Sequence, residues 1–260
     1  MIIILIVLCL IGLHISFQLK TSNDLIVYEM EFPDKLKLEK VCDMKQPILF
    51  MYEDASIEQV LTYKEYKKFK VDVYDESYAK STVTLNKALK LKGHAMFHNE
   101  TFLKDTLLFN YYKTTDGLLR PPMTMISSYD ICMGSDQYVL PLQFKKSYRN
   151  YILVVDGSIK VKVSPPRNKK FLSHTVNPWK NTKVKFLDVT MTKGNLLFIP
   201  AYWWYSIKLE KDACVCMFHY RTIMNELAIV WDECNLIPLG LFGHASSDES
   251  RTSMGLDAHQ

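Results

Sequence analysis

Glycine is scarce in this chain, nine among 260 residues, and none falls in a phosphate-cradling pattern. There is no G-x-x-x-x-G-K-[ST] loop and no G-x-G-x-x-G turn. Nucleotide-binding βα units need those glycines so that backbone N–H groups can approach a phosphate, and that class is excluded. The lack of G-x-S-x-G removes the strained nucleophile elbow of the serine hydrolases. Six cysteines are present (Cys9, Cys42, Cys132, Cys214, Cys216 and Cys234), but none forms a C-x-x-C pair, which argues against a zinc ribbon or dithiol redox centre. Excess charge is also missing: the net charge is +4, with lysines in short groups at 64–70, 145–149 and 167–170. Such groups are solvated faces, so nucleic acid is not an expected partner. No internal repeat is visible.

What the sequence does have begins with residues 2–13, an unbroken apolar run that continues through Ile15 and Phe17 to a stop at Lys20. It lacks the polar stripe that a core helix shows at the 3.6-residue period. Nothing basic precedes it, and His14-Ile15-Ser16-Phe17 is a poor cleavage site. Residues 1–20 therefore read as an uncleaved single-pass transmembrane anchor, with a removed signal peptide as the alternative. The expected localisation is the membrane. Its side stays open, because Lys20, Asp24, Glu29, Glu31, Asp34, Lys35 and Lys37 nearly balance. Asn99-Glu100-Thr101 is a glycosylation sequon if the domain is lumenal.

Residues 21–45 read as a charged lead-in, 46–244 as one domain, and 245–260, rich in Ser and Asp, as a disordered tail. Residues 47–51 and 70–74 have strand character, while 57–69 and 102–112 have helical spacing. From Tyr129 onward short strands follow at close intervals. Residues 151–155, then Asp156-Gly157, then strict alternation over 159–163 predict a hairpin with Lys160 and Lys162 outward. Residues 186–189, 196–199, 203–209 and 213–218 add strands, and 222–234 a terminal helix. Cys214 and Cys216 alternate along one strand and share a face as small buried hydrophobes. This pattern predicts a mainly β fold with flanking helices (α+β), built as a sandwich or barrel.

Two segments carry a resemblance. Lys193-Gly194-Asn195-Leu196-Leu197-Phe198-Ile199-Pro200-Ala201-Tyr202-Trp203-Trp204-Tyr205 resembles the pattern G-D-x-L-F-I-P-x-x-W-W-H. Upstream, Gly134-Ser135, Leu140-Pro141-Leu142-Gln143-Phe144-Lys145, Asp156-Gly157 and Pro165-Pro166 are similar to the G-S, T-P-L-H-x-D, G and P-P of the same family. That family is the cupin-like, Jumonji-C-type iron and 2-oxoglutarate oxygenases, and the resemblance covers residues 46–221. It implies a double-stranded β-helix (cupin or jelly-roll) barrel, here with an N-terminal transmembrane helix. In the family, inward strand faces carry a 2-His-1-carboxylate triad for Fe(II).

The three triad positions here hold Gln143, Lys145 and Tyr205. An amide is a poor iron ligand, an ammonium repels a dication, and a neutral phenol binds ferrous iron weakly. The cosubstrate positions are also changed: the threonine slot is Leu140 and the lysine slot is Ile159, with Lys160 on the opposite strand face. One extra residue between Gln143 and Gly157 leaves Lys146 as an alternative occupant of the Lys145 slot. The resemblance thus implies a pseudo-oxygenase with no catalytic residue, no metal and no cofactor, Fe(II) and 2-oxoglutarate both having been lost. Asn150, Trp203 and His219 are candidates for lining a residual pocket.

Other ligand sets are thinner. His94 and His98 would share one face of a helix, as zinc ligands do, but no third ligand accompanies them. Cys214 or Cys216 with His219 lacks an activating environment for a nucleophile. The expected function is a membrane-anchored, non-catalytic cupin-like domain with a binding or structural role. Its expected partners are the membrane, through residues 1–20, and a protein or small anionic ligand. The alternative is a divergent Fe(II)/2-oxoglutarate-dependent protein hydroxylase, which requires two of His94, His98, His174 and His219 to converge with an acid.

Overall fold

Residues 151–155 show no polar face because their strand is covered on both sides. The computed structural model describes residues 1–180 and 183–233; Cys234 and the tail expected at 245–260 lie outside them. The chain begins with α1 (Ile2–Leu19), β1 (Tyr28–Met30), α2 (Lys35–Cys42), β2 (Ile48–Met51), α3 (Ala55–Glu58), β3 (Lys70–Asp75), β4 (Lys80–Thr84) and α4 (Leu85–Ala88). Next come β5 (His94–Met96), α5 (Glu100–Asp105), α6 (Phe109–Thr114), α7 (Asp116–Leu119), β6 (Thr124–Gly134), β7 (Gln143–Phe144) and β8 (Arg149–Asp156). Then follow β9 (Ser158–Ser164), β10 (Leu187–Thr192), β11 (Asn195–Pro200), β12 (Trp204–Leu209), β13 (Cys214–Thr222) and α8 (Ile223–Glu233).

Among the described residues the strands form a nine-stranded sheet, β1-β2-β11-β8-β13-β6-β5-β3-β4, and a four-stranded sheet, β10-β9-β12-β7. Alternation along each strand divides the large sheet's side chains between two cores. Tyr151, Leu153, Phe198, Cys216 and Phe218 face α2, α5, α6 and α7 on one side. Ile152, Val154, Leu197, Val215 and Met217 face the other way, against Val161, Val163, Met191, Ile207 and Leu209 of the small sheet. The fold is thus mixed α+β, two sheets face to face with helices on the outer face of the larger. Cys214 and Cys216 are free, buried and on one face, as small hydrophobes.

The hairpin at Asp156-Gly157 does not form. β8 pairs with β11 and β13, whereas β9 pairs with β10 and β12, so the turn is a corner between sheets. Gly157 makes the corner possible. Its φ is +68°, and a Cβ there would meet Ala213 N and Lys211 O at 2.8 Å. Gly157→Ala is expected to cost about 2 kcal/mol or more, since both backbone strain and a backbone clash must be absorbed; urea unfolding measures it. Alternation in β9 is as expected, with Lys160 and Lys162 on the outer face, paired with Glu210 and Asp188.

The transmembrane helix is corrected. No helix among the described residues is long and apolar enough to cross a membrane. α1 has 18 residues, about 27 Å at 1.5 Å per residue, and its last turns carry His14, Ser16 and Gln18. The wholly apolar part, residues 2–13, would cover only about 18 Å of a hydrocarbon core of about 30 Å. α1 also docks on the domain, with Ile15 buried against Ala228 and Trp231 of α8. The stretch read as a lead-in contributes structure as well: β1 extends the large sheet and Leu38 of α2 is fully buried.

Candidate functional site

β7 and β12 lie side by side, with Tyr205 and Gln143 as direct cross-strand partners. Facing residues of an antiparallel pair point to the same side, so two of the three changed positions share the inner face of the small sheet. Tyr205 is 1% exposed and part of the core between the sheets. Burial, and secondarily the charge of Asp130, hold its phenol far above the ordinary range and therefore neutral. Gln143 is buried too. Lys145 follows β7, and its ammonium acts electrostatically on Asp130 and His219. Lys146 turns away to Glu233 of α8 at 2.9 Å, so Lys145 is the lysine at the site.

Opposite them, the inner face of the large sheet carries Asp130 of β6, Asn150 of β8 and His219 of β13. Asp130 is buried and accepts three backbone N–H groups: His98 at 2.6 Å, Asn99 at 2.8 Å and Ile131 at 2.9 Å. Burial pushes its carboxyl up to about 6, against the opposing pull of those N–H donors and of Lys145. Its grip holds the turn at His98, whose φ of +58° is unfavourable for a residue with a Cβ.

Asn150 fixes the state of His219. Its Nδ2 donates to Ser147 O at 3.1 Å and Ile199 O at 3.2 Å, so its Oδ1 must be the atom 2.9 Å from His219 Nδ1. An amide oxygen only accepts; His219 Nδ1 therefore carries the proton and Nε2 the lone pair. Burial, then the charges of Lys145, His98 and Arg221, lower His219 to about 3. It is a neutral imidazole at any physiological pH.

Of the remaining candidates, Trp203, Leu140 and Ile159 share the core of Tyr205, while His94, His174 and Asn99 lie apart from it. Trp203 is fully buried in the core between the sheets, its Nε1 without a hydrogen-bond partner. Leu140 and Ile159 are core residues. His94 and His98 do not share a helical face, because the chain is extended over β5; His94 Nδ1 bonds the Lys92 carbonyl at 2.8 Å. His174 lies outside the small sheet, bonded to Leu142 O at 2.9 Å and against the Trp204 ring. Asn99, the sequon residue, is buried: its Nδ2 donates to Asp72 O and Phe97 O, and its Oδ1 accepts from Asp72 N. A glycan on Nδ2 is incompatible with that packing. Clefts of about 440 Å³ beside α3 and 430 Å³ beside α5 and α6 do not border Asp130 or His219.

No protein-family model matches this chain, and no curated protein does. The fit to iron can be judged from the donors themselves. Gln143, Lys145 and Tyr205 offer an amide, an ammonium and a buried neutral phenol. Asp130, the acid nearest them, has its oxygens committed to three N–H groups. Among the described residues no group of three or more His, Cys, Asp or Glu stands close enough to hold a metal ion. These residues do not fit an Fe(II) triad. Sequence reasoning missed Asp130, although a carboxylate within Tyr129-Asp130-Ile131-Cys132, an inward position of an apolar strand, is the signal that marks it.

Proposed function

We propose that the chain is a catalytically silent, cupin-like (Jumonji-C-type) domain whose two-sheet core serves binding or structure rather than oxygen chemistry. The observation that carries this reading is the pairing of Gln143 with Tyr205 across β7 and β12. The segments resembling the family's first and last ligand motifs meet face to face, as a shared metal would require, yet they bring groups unsuited to a metal. Four antiparallel strands facing the inner strands of a larger sheet agree with the barrel architecture of that family. Lys145 supplies a cation beside the Gln143–Tyr205 pair and neutral His219 an acceptor at Nε2, so the small anionic ligand expected here is one that also carries a hydroxyl donor. No resident cofactor belongs to this reading.

A second reading, the divergent hydroxylase, draws on His98 and His219, which interact electrostatically near Asp130. It is the weaker one, because Asp130 would have to surrender backbone N–H bonds to become a ligand. Incubation of the chain with ferrous iron, 2-oxoglutarate, ascorbate and oxygen separates the two. No succinate above the protein-free control is expected. Succinate formation that is lost in His219→Ala would reverse the assignment.

A further inference from the structure

On the opposite, helix-covered face of the large sheet, Arg149 of β8 is 3% exposed and Lys45, just after α2, is 7% exposed. Neither forms an ion pair with a described residue. Arg149 Nε and Nη1 are buried without a hydrogen-bond partner. The Tyr148 ring joins the two cations, its centroid 4.2 Å from Lys45 Nζ and 5.4 Å from Arg149 Cζ. The phenols of Tyr148 and Tyr151 are within hydrogen-bond reach of the Arg149 guanidinium, but burial holds them neutral and they cancel no charge. Of the nearby acids, Asp43 accepts the Tyr148 hydroxyl at 3.0 Å. Glu39 has Oε1 buried and unpartnered, and its charge acts on Arg149.

Buried cations without a contact anion are unfavourable, and unpartnered buried N–H groups add to the cost. Lys45 also holds a left-handed backbone position, φ +57°, that glycine would fill with less strain. These groups are complementary to one chemistry: two unpartnered guanidinium donors and an ammonium outside any ion pair for acceptor oxygens, and an unpartnered carboxylate oxygen for a single hydroxyl donor. A hydrogen phosphate or phosphate monoester supplies both, and guanidinium donors suit its oxygens. We propose that Arg149, Lys45 and Glu39 form a phosphate-binding site, separate from the Gln143–Tyr205 pair and independent of the reading given for it.

Thermal melts of the full chain in inorganic phosphate, against sodium chloride of equal ionic strength, test this together with ³¹P line broadening. A saturable, phosphate-specific rise in Tm is expected. Affinity should fall roughly tenfold or more in Arg149→Met and in Lys45→Met, the loss of one charge-assisted contact, while Lys104→Met keeps the full response. Lys45→Met covers the case in which Arg149→Met does not fold. Sedimentation with phosphatidylcholine vesicles, with and without phosphatidate, distinguishes a soluble phosphate from a lipid headgroup. Binding to phosphatidate alone, lost in Lys45→Met, would assign the headgroup. No phosphate response in either arm, or one that survives both substitutions, overturns the site.

Discussion

Asp130→Ala is expected to cost about 3 kcal/mol of stability and to loosen the turn at His98 and Asn99. The substitution strands the buried backbone N–H groups of Asn99 and Ile131, each worth about 1–3 kcal/mol when left unpaired, and the part-buried N–H of His98. It also relieves the burial of a carboxylate whose pKa of about 6, against 3.8, signals about 3 kcal/mol of unfavourable environment. The lost bonds win because there are three of them and one unfavourable charge. Asp130→Asn keeps one acceptor oxygen for Asn99 and Ile131 and removes the charge, but it turns an NH2 toward the His98 N–H, so it should cost about 1–2 kcal/mol, less than alanine. Chemical denaturation gives the energies, and amide exchange should quicken at both His98 and Asn99 in the alanine variant but at His98 alone in the asparagine variant.

The second large effect is in acid. Asp130 has its folded pKa raised, so its contribution is fully present below 3.8 and is lost as pH rises through about 6. His219 has its folded pKa lowered, from 6.5 to about 3. Its contribution is fully present above 6.5 and is lost progressively as pH falls toward 3. Between about 4 and 6 the folded state holds one extra proton on Asp130 and lacks one on His219, so the slopes cancel. Single substitutions unmask them. His219→Gln should become about 2 kcal/mol more stable between pH 7 and pH 4.5, and Asp130→Asn about 2–3 kcal/mol less stable over the same interval. Urea midpoints at the two pH values decide the matter; identical profiles in both variants would contradict the assigned environments.

Much of the strand inventory was legible because period-2 alternation reports directly on burial. Ile159, Val161 and Val163 point inward and Lys160 and Lys162 outward, as their spacing requires. The partnering of those strands was not legible. Asp156-Gly157 carries the same local signal whether the chain folds back on itself or crosses to another sheet, and only long-range contact with residues 211–213 selects the corner. The helix expected over 102–112 is interrupted in the same way, with Leu107 at φ +60° separating α5 from α6. For residues 2–13, apolar composition outweighed length in the reading, and length is what fails. At the site, the motif comparison singled out Gln143, Lys145 and Tyr205, and Asn150, Trp203 and His219 were candidates for a pocket lining. Asp130 belongs to no motif, and its importance comes from backbone N–H groups about thirty residues upstream, which no local pattern can show.

We propose above that the inner faces of the two sheets keep the scaffold of a metal site without its ligands. Anaerobic equilibrium dialysis of the full chain against ferrous iron, with and without 2-oxoglutarate, tests it most directly. No stoichiometric uptake is expected in either condition. Uptake of one equivalent, abolished by His98→Ala or His219→Ala, would contradict it.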